Sequence, residues 1–86
     1  MELYKEEFPV GTRVQIATAL ELQNFRRTWR YHHPLAKEQL DFAGRQTTVA
    51  SVSFYHGGDV LYTLHDTPGI WHECCLQAPD DASRNT

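Results

Sequence analysis

Hydrophobic and polar positions alternate most regularly in the second half of the chain, over residues 42–76, FAGRQTTVASVSFYHGGDVLYTLHDTPGIWHECCL. Residues 46–55 are rich in Thr, Val and Phe with Ser as spacer, a composition that fits a pleated, half-buried surface. Residues 60–66 alternate: Val60, Tyr62 and Leu64 point one way, and Leu61, Thr63 and His65 the other. Residues 70–76 complete a block of three strands. Two turns separate them. His56-Gly57-Gly58-Asp59 suits a hairpin, because glycine takes positive φ without steric cost. Thr67-Pro68-Gly69 suits a type II turn, with Pro at i+1 and Gly at i+2. An earlier strand is predicted over residues 12–17, with Val14 and Ile16 inward and Arg13 and Gln15 outward. The pattern as a whole predicts a core of Val14, Ile16, Val49, Val52, Leu61, Leu64 and Leu76.

Residues 18–43, between the first strand and the three-strand block, are too many for an ordinary connection and need structure or a role of their own. Over residues 19–30, Leu22, Phe25 and Trp29 fall at i, i+3 and i+7, one face of a helix. Pro34 suits the first position of a second helical turn over residues 34–40, with Leu35 and Leu40 as its apolar contacts. Thr28, Trp29, Tyr31, His32 and His33 are poor helix formers, so an extended excursion fits the same residues equally well. Residues 1–7 form a polar lead. Residues 77–86, QAPDDASRNT, hold no large apolar side chain and read as a loose tail behind a single domain over residues 1–76.

A formal charge of −3 argues against a general nucleic-acid coat, which is normally basic. No apolar run approaches the ~20 residues of a membrane span, and the acidic start MELYKEEF has no signal-peptide core, so a cytoplasmic location is expected. The two cysteines, Cys74 and Cys75, are adjacent and cannot easily meet disulfide geometry with each other.

Chemistry concentrates in Arg26-Arg27-Thr28-Trp29-Arg30-Tyr31-His32-His33, which sets three fixed positive charges beside two rings in an otherwise acidic chain. Arginine forks bind phosphate or carboxylate, and rings stack on flat ligands. The plainer alternative is that Trp29 and Tyr31 pack the excursion onto the strands while the arginines pair with Glu6, Glu7, Glu21 or Glu38. Read as a strand, His72-Glu73-Cys74-Cys75 puts His72 and Cys74 on one face and Cys75 on the other, too few ligands for zinc without help from the excursion. A thiolate nucleophile at Cys74 or Cys75 would need an electropositive setting, which Glu73 and Asp66 oppose. Gly57-Gly58 lacks the Lys-Ser/Thr and helix start of a phosphate loop. Tyr55, Tyr62 and Trp71, with Trp29 and Tyr31, either line a groove on the barrel or pack its core and rim.

One strand, a long excursion, then three strands on tight turns and a closing segment resemble an SH3-like barrel over residues 8–76. The likeness is carried by Val10-Gly11-x-Arg13-Val14, by Ala43-Gly44 before a Val-x-x-Val strand, by Leu61-Tyr62-Thr63-Leu64 and by Trp71-x-Glu73-x-x-Leu76. The layout is similar to the barrel of the nitrile hydratase β subunit. Val14-Gln15-Ile16 is similar to a pore stretch of the small plasmid-borne dihydrofolate reductase, although here it lies on the first strand and Ala17 follows it. Small stand-alone barrels of similar size also occur as orphan proteins on mobile gene cassettes. The expected fold is therefore mainly β, a small SH3-like antiparallel barrel with a long, partly helical excursion after the first strand. The expected function is a non-catalytic binding module for a protein or a small anionic or aromatic ligand. Its ligand-binding residues would be Arg26, Trp29, Arg30, Tyr31, His32, Tyr55, Tyr62 and Trp71, with no metal or cofactor. The alternatives are a small enzyme or enzyme subunit completed by oligomerisation, and nucleic-acid binding through Arg26, Arg27 and Arg30. Ten rings in a small chain exceed what one core easily encloses, so a homodimer with Trp29 at its interface is expected.

Overall fold

The computed structural model describes residues 6–55 and 58–79. Its first strand, β1 (Arg13–Ile16), buries Val14 and Ile16 and turns Arg13 outward, as the alternation requires. The nine-residue β2 (Gln46–Phe54) pairs with β1 along its first half and with β3 (Val60–Leu64) along its second. The β2–β3 register shifts between Val49 and Ser51. An extra residue on one strand bends it and increases the local twist, which is how one long strand serves two partners. With β4 (Thr67–His72) and β5 (Leu76–Gln77), the order is β4-β3-β2-β1-β5. The fold is mainly β: among the described residues, five antiparallel strands in a curled half-barrel, with one α-helix after the first strand.

The second turn lies elsewhere than the Pro-Gly pair suggests. The chain reverses at His65 and Asp66, and Leu64 pairs with Thr67. Asp66 takes the left-handed conformation (φ 54°), which Asp tolerates better than most residues, and the Thr67 hydroxyl donates to the His65 carbonyl at 2.8 Å. Pro68 and Gly69 instead sit inside β4, where the register with β3 shifts. The third predicted strand is also shorter. It stops at His72, Glu73–Cys75 forms one 3-10 turn, and Leu76 and Gln77 then pair beside β1. Gln77, assigned to the tail from the sequence, is thus paired with Gln15; residues 1–5, 56–57 and 80–86 lie outside the described residues.

The excursion divides in two. Helix α1 (Ala19–Thr28) is followed by an irregular stretch that bends at residues 31–33 and then by a 3-10 helix, Lys37–Phe42, which starts three residues later than the turn predicted at Pro34. Leu35 lies before that helix and is buried, and the next turn is tied by Gln39, whose Oε1 accepts from the Ala36 amide at 2.7 Å. The core gathers Val14, Ile16, Val49, Leu64 and Leu76 with Phe8, Leu22, Leu35, Val60, Tyr62, Trp71 and Cys75, while Val52 packs half-buried against it. Leu61 is buried outside that cluster: it lies opposite His72 in the β3–β4 pair, out of phase with Val60, Tyr62 and Leu64.

Gly69 marks a tight approach. Its φ is +93°, and a Cβ there would come within 2.7 Å of Gln39 Nε2, which donates to the Ile70 carbonyl at 3.0 Å. Gly69→Ala therefore imposes backbone strain and dislodges the amide that ties the excursion to β4. The expected loss is about 1–3 kcal/mol, read as a lower urea midpoint. A shift below about 0.5 kcal/mol, the range of an ordinary surface change, would show that Gln39 moves aside freely.

Candidate functional site

Helix α1 is defined at both ends by short polar residues. Thr18 Oγ1 accepts from the Glu21 amide at 3.2 Å, and Glu21 Oε1 accepts from the Thr18 amide at 3.0 Å. This capping box starts the helix where Thr-x-x-Glu stands in the sequence. The helix stops at Thr28, whose hydroxyl donates to the Asn24 carbonyl, and Trp29 is already extended. Leu22 is buried from the inner face, and Phe25 and Trp29 follow on the same side. The Phe25 and Trp29 rings stack at 5.2 Å between centroids, 17° from parallel.

Beyond Trp29 the chain folds back over this ring. The Trp29 indole N–H donates to the His32 carbonyl at 2.7 Å, and the Tyr31 and His32 rings stand edge-on to it. His33 takes φ 50°, which histidine visits more readily than bulky residues do. Its carbonyl accepts from His72 Nε2 at 2.8 Å, joining the excursion to the end of β4. A carbonyl only accepts, so Nε2 carries the His72 proton and Nδ1 keeps its lone pair. Burial lowers the His72 pKa, which holds this ring neutral, and the His33 bond opposes burial only in part. His32 reaches the hairpin: Nε2 lies 2.7 Å from Asp59 Oδ2, and the ring lies flat on Tyr55 at 3.7 Å, 15° from parallel. His32 and His33 face each other through their Nδ1 atoms at 3.0 Å, so one Nδ1 donates its hydrogen and the other accepts it, and the tautomer sets which.

These contacts enclose a recess of about 240 Å³ lined by Phe25, Trp29, Val60 and His72, with Gly58, Asp59, Glu73 and Cys74. Phe25 arrives on α1 and Trp29 directly after it, Asp59 and Val60 from the β2–β3 hairpin, and His72 to Cys74 from the end of β4 and the turn after it. Three chain segments thus meet at one opening of the half-barrel.

Comparison with protein-family models, with curated proteins and with solved structures finds no match to this chain.

Of the residues singled out from sequence, Trp29, Tyr31, His32 and Tyr55 come together in this cluster. Tyr31 is 71% exposed and touches Trp29 only from outside the recess lining. Tyr62 and Trp71 do not present a surface: at 1% and 0% exposure they are core side chains, paired across β3 and β4. The Tyr62 hydroxyl donates to Glu73 Oε2 at 2.6 Å and accepts from the Glu7 and Phe8 amides. Arg26 lines a separate open groove with Gln23, Arg27, Pro34 and Leu35, and Arg30 lines neither. Arg26 Nε donates to the Leu35 carbonyl and Arg27 to Asn24 Oδ1, so none of the paired glutamates expected for them is used. Phe25, Asp59, Val60 and Glu73 were not expected at the site. His72 and Cys74 enter the sequence reading as candidates for zinc binding and thiolate chemistry, not as part of this lining. Among the described residues, no group of three or more His, Cys, Asp or Glu side chains is arranged to hold a metal ion, and no helix is long and apolar enough to cross a membrane.

Proposed function

We propose that this chain is a small binding module of the SH3-like type that takes one organic cation, an ammonium or guanidinium group, in the recess between α1 and the barrel rim. The observation that carries this reading is the lining itself: aromatic walls, two carboxylates and, among the described residues, no lysine or arginine. An aromatic face attracts a cation through its quadrupole, and a carboxylate adds a directional partner. Glu73 Oε2 is already engaged by Tyr62 and the Glu7 amide. Asp59 is half-exposed, which leaves room for a further partner. A volume of about 240 Å³ is below the ~300–1,000 Å³ of pockets for drug-sized ligands, so one side chain or a small amine is the matching size. The case for an anionic ligand came from the arginines, and these do not line the recess.

The test is an NMR titration of the full chain with tetramethylammonium and N-acetyl-arginine amide, with benzoate as the anionic control. The cations should shift the Trp29 indole and the His72 ring with a dissociation constant on the order of 1 mM, as a single-side-chain contact of about −4 kcal/mol implies. Asp59→Asn should weaken them about fivefold, the equivalent of about 1 kcal/mol. Benzoate binding at the same resonances, or no cation-induced shift at about ten times that concentration, would sink the reading.

A further inference from the structure

Asp59 serves two sides. It lines the recess, and its Oδ2 lies 2.7 Å from His32 Nε2. His32 itself belongs to the excursion and stands outside the lining. Three contacts of its ring nevertheless suit a cation. An ionised carboxylate only accepts, so Nε2 carries a hydrogen at the Asp59 contact. On the other side of the ring, Nδ1 lies 3.0 Å from His33 Nδ1, a nitrogen that can accept in its turn. The ring face lies flat on Tyr55, 3.7 Å between centroids, where an aromatic quadrupole attracts positive charge. The His32 side chain is 13% exposed, so a charge on it is met by these groups more than by water. A carboxylate and an aromatic face are also what the recess offers an organic cation. Protonated His32 is a cation of that same class, already attached to the chain.

Two charge states keep this geometry. With both imidazoles neutral, His32 donates to Asp59 through Nε2 and accepts from His33 through Nδ1, and the carboxylate keeps its full charge for the recess. With one proton added, His32 donates from both nitrogens, to Asp59 and to His33, and no hydrogen bond is lost. The nearby carboxylate draws that proton to His32. A second proton would set two Nδ1–H groups against each other, so the pair holds one.

We propose that His32 is an internal competitor for the recess: its protonated ring neutralises Asp59 and turns an organic cation away, and its neutral ring admits one. This regulation rests on the binding reading above. The titratable groups that face His32 among the described residues come from three places. They are His33 on the excursion, Tyr55 and Asp59 at the β2–β3 hairpin, and His72 at the end of β4, whose ring is 5.5 Å away. His72 is held neutral by burial and does not share the added proton. Glu73 and Cys74 are the other titratable groups of the lining. Imidazoles as a class change charge between about pH 5 and 8, so the competitor works around neutral pH.

The test is an NMR titration of the full chain with tetramethylammonium at about pH 8 and about pH 5.5, the second below the ordinary imidazole value and above the ordinary carboxylate values. The Trp29 indole reports binding. Affinity should be about fivefold lower at the acid pH, the factor expected for Asp59→Asn, because both changes cancel the charge of the carboxylate. In His32→Gln the ratio between the two pH values should fall below about twofold. His72, Glu73 and Cys74 are common to both proteins, so the difference between them isolates His32. Asp59→Asn gives a second reading that holds even if His32→Gln does not fold. Its penalty, about fivefold at the higher pH, should shrink below about twofold at the lower one, because charge cancelled by His32 cannot be lost again. Equal affinity at the two pH values, a pH dependence that His32→Gln keeps in full, or a constant Asp59→Asn penalty would each overturn the competitor and leave the binding reading standing. Absence of tetramethylammonium binding at the higher pH would overturn both.

Discussion

Leu22→Ala lowers stability by about 2–5 kcal/mol and takes the recess with it. Leu22 is the residue through which α1 is buried, and it is fully enclosed by the core. A ten-residue helix is marginal on its own in water, so its place depends on that side chain and on the Thr18–Glu21 cap. Phe25 on this helix, and Trp29 stacked on it just past the helix end, supply two recess walls. The expected result is therefore double: a lower urea midpoint, and altered tryptophan fluorescence before the strands unfold. Leu20→Ala, at an exposed position of the same helix, should stay within about ±0.5 kcal/mol. An unchanged midpoint for Leu22→Ala would mean that the helix docks by another face.

Tyr62→Phe should cost about 1–3 kcal/mol although only one oxygen is removed. That oxygen serves Glu73 Oε2 and the Glu7 and Phe8 amides, and it anchors the start of the described chain to β3. Burial, first, and the bond to the Glu73 carboxylate, second, push the Tyr62 pKa well above its ordinary value. The sign of the pH dependence follows. The native protein holds this proton more tightly than the unfolded chain, so the stabilisation is fully present below the unfolded value of about 10 and is lost as pH rises toward the native one. The gap in stability between the native protein and Tyr62→Phe should thus narrow above about pH 10. Urea melts of both proteins at neutral and alkaline pH check this, and a gap that widens with pH would contradict it.

Much of this architecture can be read from residue order. Val14 and Ile16 alternate with polar neighbours and burial follows that period, while in β3 the same period puts Val60 and Leu64 in the core cluster and Leu61 is buried outside it. The same period places Tyr62 inside with Leu64, and pairing then carries Trp71 inside as well. Treating these two rings as rim gave ring chemistry more weight than phase. The Thr18-x-x-Glu21 capping signal likewise marks the helix start without any structure. Other features are not local. Pro68-Gly69 has the composition of a turn, yet Asp66 and the Thr67 hydroxyl close the hairpin first, and the pair is absorbed as an irregularity in β4. The recess depends on contacts between residues far apart in the chain: His32 with Asp59, His33 with His72, Phe25 with His72. No window of sequence contains both partners of any of these pairs, so their chemistry emerges only when the excursion folds back.

The irregularity at Pro68 and Gly69 has a bearing on whether a foreign strand can add to the sheet. β4 and β5 are the outer strands of the sheet. β5 is two residues long. On β4, Pro68 has no N–H to give, Gly69 turns the backbone aside, and the Gln39 amide already holds the Ile70 carbonyl. Neither border offers a run of free amides and carbonyls on which a foreign strand could be laid, so the route by which small β domains polymerise into fibrils is blunted at both ends. The large side chains that do stand outside, Tyr31, Phe54 and Tyr55 among them, offer ring faces rather than backbone groups to whatever touches them.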